Sequence, residues 1–127
     1  MDTGDKKTVV VVDDMAAILE HAKQILKDDY KVIPCMSAKQ ALEVIDKRKP
    51  DIVLTDINMP DMDGFELLSA IRTNPETKDI PVLFISAEMT SDIEAKGFEL
   101  GVDDFILKPF SQVTMLKRMA NQLALKK

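Results

Sequence analysis

Residues 51–72 have the sequence DIVLTDINMPDMDGFELLSAIR, which passes from an apolar run through a polar loop into a helical pattern. The run at 51–56 has almost no polar alternation, as is typical of a parallel strand that is covered on both faces. Phe65, Leu68 and Ile71 recur at the spacing of one helical face. The stretch therefore predicts a strand, a loop and a helix, with Asp56 at the carboxyl end of the strand.

The same unit recurs along the chain. Four more apolar runs alternate with helical patterns: TVVVV (8–12), YKVIPC (30–35), PVLFIS (81–86) and DFILK (104–108). Pro34 would not be tolerated in a central strand, so the second run is predicted at a sheet edge. Five units in strict alternation predict a parallel sheet with helices on both faces. Right-handed crossovers then give a doubly wound α/β fold.

The helical patterns also carry start signals, stop signals and inner faces. Ser37 and Ser91 each open a capping-box pattern, Gly101 suits the position after a helix end, and Ser111 is placed to cap the last helix. The residues predicted to face inward are Ile18, Ala22, Ile25 and Leu26 in the first helix, Ala38, Ala41, Leu42 and Ile45 in the second, and Val113, Leu116, Ala120 and Leu123 in the last.

Composition and length exclude several classes of function. The 127 residues are expected to form one domain, 1–127, and helix formers at 122–127 leave room for a longer chain. Seventeen basic and 22 acidic residues give a net charge of −5, which argues against binding to nucleic acid or an anionic membrane surface. One cysteine, Cys35, and one histidine, His21, cannot form an internal disulfide or a Cys/His zinc site. We interpret both as packing or helix-surface residues. Without a signal peptide or a membrane-length apolar run, a cytoplasmic location is expected.

Polar residues follow four of the five predicted strands. They are Asp13 and Asp14, Asp56, Ser86, and Lys108. Ligands of open parallel sheets bind beyond the carboxyl ends of the strands, where the winding reverses. With the strand order 2-1-3-4-5, Asp56 would sit centrally, between the two acids on one side and Ser86 and Lys108 on the other.

Three carboxylates in one crevice repel each other, by about 4 kcal/mol per pair at ~4 Å and an effective dielectric of 20. A hard cation with oxygen ligands such as Mg²⁺ would relieve this repulsion. A carboxylate is also a nucleophile toward phosphorus, and Lys108 and Ser86 are placed to hold charge on the phosphoryl oxygens. A single Asp after a strand is more often a turn or cap residue, because Asp favours such positions. Four strand ends suited to one reaction favour the chemical interpretation.

The sequence resembles the receiver domain of bacterial two-component response regulators, and in particular the chemotaxis regulators, over nearly its whole length. The stretches that carry the resemblance are VVVVDD (9–14), DIVLTDINMPDMDG (51–64), PVLFISA (81–87) and GVDDFILKPF (101–110). The resemblance implies a flavodoxin-like fold with a five-stranded parallel sheet in the order 2-1-3-4-5.

The resemblance also implies a role for each site residue. Asp56 would be the phosphoacceptor, Lys108 the active-site lysine and Ser86 the switch hydroxyl. The Mg²⁺ ligands would be Asp13, Asp14 and Asp56, with Asp14 the more direct of the acid pair, and the backbone carbonyl of Asn58. Glu88 and Asn58 would border the phosphoryl group and tune its hydrolysis. Lys108-Pro109 would be a cis peptide.

Two positions differ from the commonest family pattern. Ser86 stands where threonine is frequent, which keeps the hydroxyl. Phe105, at the aromatic switch position, stands where tyrosine is frequent, so the ring has no phenolic hydroxyl. The five active-site positions are intact, which favours a domain that is phosphorylated.

The implied function is a signalling switch rather than a metabolic enzyme. The domain would take a phosphoryl group from a sensor histidine kinase or phosphotransfer protein and later hydrolyse it. The face formed by the fourth helix, fifth strand and fifth helix would change and contact an output domain or protein, in a monomer or a phosphorylation-dependent dimer.

Two other functions remain open at this stage. The first is a Mg²⁺-dependent phosphohydrolase with an aspartyl nucleophile. Such enzymes usually need a second acid two residues after the nucleophile, where Asn58 stands, and a cap domain, for which 127 residues leave no room. The second is a pure protein-interaction module, against which the intact acidic pocket argues.

Overall fold

Five parallel strands and five helices alternate along the chain in this computed structural model, which describes residues 6–125. The strands are β1 (Lys7–Val12), β2 (Tyr30–Cys35), β3 (Ile52–Asp56), β4 (Val82–Ser86) and β5 (Asp104–Leu107). The helices are α1 (Ala16–Leu26), α2 (Ala38–Arg48), α3 (Gly64–Thr73), α4 (Ser91–Leu100) and α5 (Gln112–Leu125). Each predicted strand is therefore confirmed to within one residue at either end.

The sheet has the order β2-β1-β3-β4-β5, as expected. β1 pairs with β3 in parallel, with Val12 opposite Thr55. β2 lies at one edge, where Pro34 pairs in register with Val11. The winding reverses between β1 and β3, so the carboxyl ends of these two strands border the crevice that the topology predicts for a ligand.

Each strand sends its side chains alternately into two separate cores, which explains why the strands show so little polar alternation. One core packs α2, α3 and α4 against Val10, Val53 and Phe84. The other packs α1 and α5 against Val11, Leu54 and Ile85. The five predicted inner residues of α2 and α3 that are fully buried are Ala38, Ala41, Ile45, Leu68 and Ile71.

The cap predictions hold at three helix ends and fail at one. Ser37 Oγ accepts a hydrogen bond from Gln40 N at 3.1 Å, and Ser111 Oγ accepts one from Thr114 N at 3.2 Å. Gly101 ends α4 with φ +101°, a conformation that favours glycine. The prediction that Ser91 caps α4 is wrong, because the hydroxyl of Thr90 accepts the hydrogen bond from Ile93 N and Ser91 is already helical.

The inner face of α5 differs from the prediction. Met115 and Met119 are fully buried, whereas Val113 is 78% exposed and Ala120 is also exposed. Leu116 and Leu123 do pack against the core, but they are only partly buried. The long, flexible methionine side chains fill the space beneath the helix, which sets its rotation.

Three remaining predictions concern single residues and membrane spans. Cys35 is buried, and burial raises the pKa of its thiol to about 11, which suits a packing residue. His21 is exposed on α1 and stacks on Phe110 with ring centroids 5.0 Å apart. Within residues 6–125, none of the helices has the length and apolar character needed to cross a bilayer.

Candidate functional site

Side chains from three strand ends converge at the carboxyl edge of the sheet. Asp13 and Asp14 follow β1, Asp56 ends β3 and Lys108 follows β5. One carboxylate oxygen from each of the three acids lies within 4.8 Å of the others. The predicted acidic cluster is therefore present, at the crevice where the winding reverses.

Asp13 is completely buried at the base of this cluster. Its Oδ1 accepts a hydrogen bond from Met15 N at 2.9 Å, which fixes the turn that leads into α1. Its Oδ2 is buried without an aligned hydrogen-bond donor among the described residues. Lys108 Nζ approaches that oxygen to 2.9 Å as an ion pair. Asp13 thus keeps an acceptor oxygen that faces the cluster.

Asp56 is 8% exposed and holds a defined orientation. Its Oδ1 accepts a hydrogen bond from Ile57 N at 2.9 Å and lies 3.5 Å from Lys108 Nζ. Burial and the neighbouring charge of Asp13 raise the pKa of the Asp56 carboxyl, and the opposing effects of Lys108 and Ile57 N do not cancel that rise. The carboxylate that the sequence assigns as nucleophile therefore lies in an electrostatically crowded position.

Lys108 supplies the positive charge of the site. Burial alone would lower the pKa of its ammonium, but the contacts with Asp13 and Asp56 outweigh burial and raise that pKa. The lysine is therefore cationic across the physiological range. The Lys108-Pro109 peptide is cis, as the family resemblance implies.

A tight loop carries the chain from Asp56 to α3. Gly64 N donates to Ile57 O at 2.7 Å, and a Cβ at Gly64 would lie 2.5 Å from Asp56 O. Only glycine leaves room for this approach. Asp63 and Glu66 then form a reciprocal capping box at the start of α3. The D-x-x-E spacing at 63–66 is a sequence signal for this helix start.

The same loop is joined to α2 by an exposed carboxylate. Asp61 Oδ2 accepts a hydrogen bond from Lys39 N at 3.1 Å, in the first turn of α2. This hydrogen bond lowers the pKa of the Asp61 carboxyl below its ordinary value. The loop after Asp56 is thus closed by the Gly64–Ile57 hydrogen bond at the start of α3 and is joined to α2 through Asp61.

Ser86 ends β4 and is buried, but its hydroxyl bonds to its own loop. Ser86 Oγ donates to Glu88 O at 2.6 Å and accepts from Glu88 N at 3.1 Å. The Glu88 residue is exposed. Asn58 is exposed as well and lines a shallow cleft with Asp14, Pro60 and Asp63. These predicted residues lie around the acidic cluster rather than in it.

The residues present fit a hard divalent cation. Three carboxylates offer oxygens within 4.8 Å of one another, and Asp13 Oδ2 has no aligned hydrogen-bond donor within residues 6–125. Mg²⁺ prefers oxygen ligands and usually takes one or two carboxylates together with water and phosphate oxygens. The donor set is therefore of the kind that Mg²⁺ binds.

Phe105 lies on β5, beneath α4, and is 7% exposed. Its ring makes edge contacts with Phe84 and Phe98, at centroid distances of 5.7 and 5.3 Å. The tip of the ring lies over Gly97, where a Cβ would be 2.9 Å from Phe105 Cζ. Beside it, α4, β5 and α5 form a groove of about 470 Å³, with Met89, Phe98, Leu107 and Thr114 among its lining residues.

Comparison with known proteins identifies the family. The family model described as the response regulator receiver domain matches residues 9–120. The chain therefore belongs to the response regulator receiver domains, which are signalling domains of two-component systems. The flavodoxin-like sheet order and the acidic edge of the sheet agree with this assignment.

Individual relatives show how far the similarity extends. A phosphate regulon transcriptional regulatory protein, PhoB, of Pseudomonas aeruginosa is 36% identical over 89% of this chain and 50% of its own length. A probable cyclic di-GMP phosphodiesterase of Vibrio cholerae is 36% identical over 91% of this chain and 26% of its own length. The chain thus spans half or less of these relatives. The chemotaxis protein CheY4 of Vibrio cholerae superposes with a TM-score of 0.88 at 30% identity, covering 91% of this chain and 98% of that one.

Proposed function

We propose that this domain is a phosphorylatable switch that takes a phosphoryl group from a sensor histidine kinase, or from a phosphotransfer protein, onto Asp56. The reaction would depend on Mg²⁺, and the domain would later hydrolyse its own phosphoryl group. The observation that carries the proposal is the convergence of Asp13, Asp14, Asp56 and Lys108 at the carboxyl edge of the sheet, with three carboxylates within 4.8 Å.

The geometry of Asp56 supports its role as the nucleophile. Oδ1 is engaged by Ile57 N and lies near Lys108, so Oδ2 is the oxygen that we assign to attack on phosphorus. The new bond joins this oxygen to phosphorus as the phosphorus–nitrogen bond of the donor phosphohistidine breaks. The electron pair leaves with the imidazole. Phosphoryl transfer needs positioning and charge stabilisation more than covalent chemistry from the protein.

Lys108 and Ser86 support this step from the side of β4 and β5. The Lys108 ammonium, which is cationic and 3.5 Å from Asp56, would hold negative charge on a phosphoryl oxygen. The Ser86 hydroxyl would donate to another oxygen after giving up its bond to Glu88 O. Asn58 and Glu88, exposed at the rim, would tune how readily water reaches the acyl phosphate.

Asp13, Asp14, Asp56 and the backbone carbonyl of Asn58 would hold the metal ion. An Mg²⁺ ion held by these residues would supply positive charge for the phosphoryl oxygens and would relieve repulsion among the acids. The buried Asp13 would orient the ion through Oδ2, the oxygen that also pairs with Lys108 at 2.9 Å, and the exposed Asp14 would complete the ligand set at the mouth.

The output surface would be the groove between α4, β5 and α5. In the sheet order, β4 with Ser86 lies between Asp56 on β3 and this groove, and Phe105 is one of the residues that line the groove. A change there would be read by an output domain or protein, in a monomer or a phosphorylation-dependent dimer, in the cytoplasm. The net charge of −5 supports a protein partner rather than nucleic acid or membrane. We treat 1–127 as one receiver domain, alone or within a longer chain.

A phosphorylation assay tests the proposal. The protein is incubated with acetyl phosphate and Mg²⁺, and its mass is measured. One phosphoryl group should be added to the wild type and to Asp28→Asn, which changes an exposed acid outside the site. Asp56→Asn should show no addition. Equal modification of Asp56→Asn would overturn the assignment of the acceptor.

A further inference from the structure

Arg72, near the end of α3, bonds to the segment that follows α4. Its Nε and Nη2 donate to Gly101 O at 3.0 and 2.9 Å, and Nη2 also donates to Asp103 Oδ2 at 2.8 Å. Nη1 donates to Ile80 O at 2.7 Å and to Lys78 O at 3.1 Å. We call Arg72, Gly101 and Asp103 the Arg72 clasp. It lies where β4 and β5 begin, at the end of the sheet opposite the acidic cluster.

The clasp holds the C-terminal end of α4. Gly101 ends the helix, and its N–H bonds to Phe98 O at 3.1 Å. Asp103 bonds twice to Val82 at the start of β4. Asp103 N donates to Val82 O at 2.9 Å, and Asp103 Oδ2 accepts from Val82 N at 2.8 Å. Val102 between them is buried. This end of the helix is therefore tied to both α3 and β4.

The N-terminal end of α4 has weaker ties. Ile93 N bonds to Thr90 Oγ1 and Glu94 N to Thr90 O, both within the first turn. Thr90, Ser91 and Asp92 are exposed, and Ile93 alone of this turn is partly buried against the core. Among the described residues, long-range hydrogen bonds thus concentrate at the C-terminal end.

The weaker end is also the one that is connected to the site. Thr90 follows Ser86 by four residues, and the Ser86 hydroxyl is bonded to the Glu88 backbone in between. If Ser86 Oγ turns to a phosphoryl oxygen, it must release Glu88 O. The resulting displacement reaches the first turn of α4 before any other part of that helix.

We propose that Arg72 is a positioning residue that makes the Gly101–Asp103 turn the hinge of α4. The N-terminal half of the helix swings while its C-terminal end stays fixed. This inference rests on the proposed function, because phosphorylation at Asp56 supplies the displacement. The planar guanidinium suits the task, since it holds three carbonyls and a carboxylate in a fixed fork. The end of the output groove at Met89 and Glu94 therefore changes more than the end at Phe98.

Amide hydrogen exchange tests the hinge without any phosphodonor. In the wild type, the bonded amides of Gly101, Val102 and Asp103 should exchange more slowly than those of Ile93 and Glu94. Arg72→Ala should speed exchange at 101–103 on the order of tenfold, the effect expected when hydrogen bonds to a charged group are lost. Exchange at 93–94 should change far less. Arg72→Lys, which keeps the charge, should show the same local increase and serves if Arg72→Ala does not fold.

Thr77→Val is the matched control. The buried Thr77 hydroxyl donates to Ile71 O at 2.8 Å, so the variant loses a hydrogen bond in the same α3–β4 region without touching α4. It should leave exchange at 101–103 unchanged relative to the rest of the chain. An equal increase at 101–103 in Thr77→Val, or a wild type with uniform exchange along α4, would overturn the hinge.

Amide chemical shifts with Mg²⁺ and beryllofluoride, a mimic of the acyl phosphate, add a readout that a purely structural role would not change. Wild-type shifts should concentrate at 87–96 and be small at 101–103, whereas in Arg72→Lys they should spread into 101–103. An identical distribution in the two proteins overturns the hinge. If beryllofluoride leaves the Ile57 amide unmoved, the proposed function fails, and the exchange gradient still decides whether Arg72 fixes this end of α4.

Discussion

Lys108 Nζ lies 2.9 Å from Asp13 Oδ2, closer than the 3.5 Å that separates the same ammonium from Asp56. The lysine is thus held mainly by the acid at the base of the cluster. The more distant ammonium only partly offsets the effects of burial and of Asp13, so the pKa of the Asp56 carboxyl stays raised.

Asp56→Asn should raise the free energy of unfolding at pH 7 in the absence of Mg²⁺. The native pKa of Asp56 lies above its ordinary value of 3.8, so the native state binds this proton more tightly than the unfolded state does. Stability therefore falls as the pH rises from 3.8 through the native pKa, and the loss persists at neutral pH. The neutral amide of asparagine removes this pH-dependent loss.

Urea unfolding as a function of pH measures the effect. The advantage of Asp56→Asn should shrink as the pH is lowered toward 3.8. The exposed substitution Asp28→Asn should stay within about 0.5 kcal/mol of the wild type, as surface changes usually do. An Asp56→Asn protein less stable than the wild type at neutral pH would contradict the prediction.

Mg²⁺ should stabilise the wild type, and Asp14→Ala should lose most of that stabilisation. A ligand that binds only the native state contributes about 2.7 kcal/mol at a hundredfold excess over Kd. Without metal, Asp14→Ala should melt at a higher temperature than the wild type, because one carboxylate of the repelling cluster is gone. The melting temperature is recorded with and without Mg²⁺, with Asp28→Ala as the control. A full Mg²⁺ effect in Asp14→Ala would exclude the three-carboxylate site.

Ser86→Ala should still be phosphorylated on Asp56 but should transmit the change poorly. The hydroxyl is the group that we assign to pull on the β4–α4 loop, and alanine cannot form that hydrogen bond. Amide chemical shifts from Thr90 to Phe110 are compared before and after addition of beryllofluoride. Ser86→Thr, which keeps the hydroxyl, should respond like the wild type. Equal responses in Ser86→Ala and the wild type would show that the hydroxyl is not the relay.

The strands and the acidic cluster could be predicted because few alternatives fit the sequence. Apolar runs such as Val9–Val12 are long enough to be buried on both faces. Parallel strands bring their carboxyl ends to one edge, so Asp13, Asp56 and Lys108 meet once the order is known. That order came from the family resemblance and not from periodicity.

The rest depends on contacts between residues far apart in sequence. Arg72 bonds to Gly101, 29 residues away, and the sequence carries no signal of that pairing. The rotation of α5 depends on how Met115 and Met119 fill the space beneath it, which the apolar pattern does not determine. The sequence also does not determine which hydrogen-bond partner Ser86 Oγ takes, and in the structure that partner is Glu88 O.

The residues at positions 97 and 105 constrain each other in size. Phe105 Cζ, the atom that bears the hydroxyl in tyrosine, lies where a Cβ on residue 97 would be only 2.9 Å away. The Phe105 ring, which has no hydroxyl on Cζ, therefore fits against Gly97, which has no Cβ. A chimera that takes α4 from this protein and β5 from a relative with tyrosine would join a helix seated close to the sheet to a ring that needs a wider gap. Segments exchanged between receiver domains therefore preserve this packing only when residues 97 and 105 come from the same parent protein.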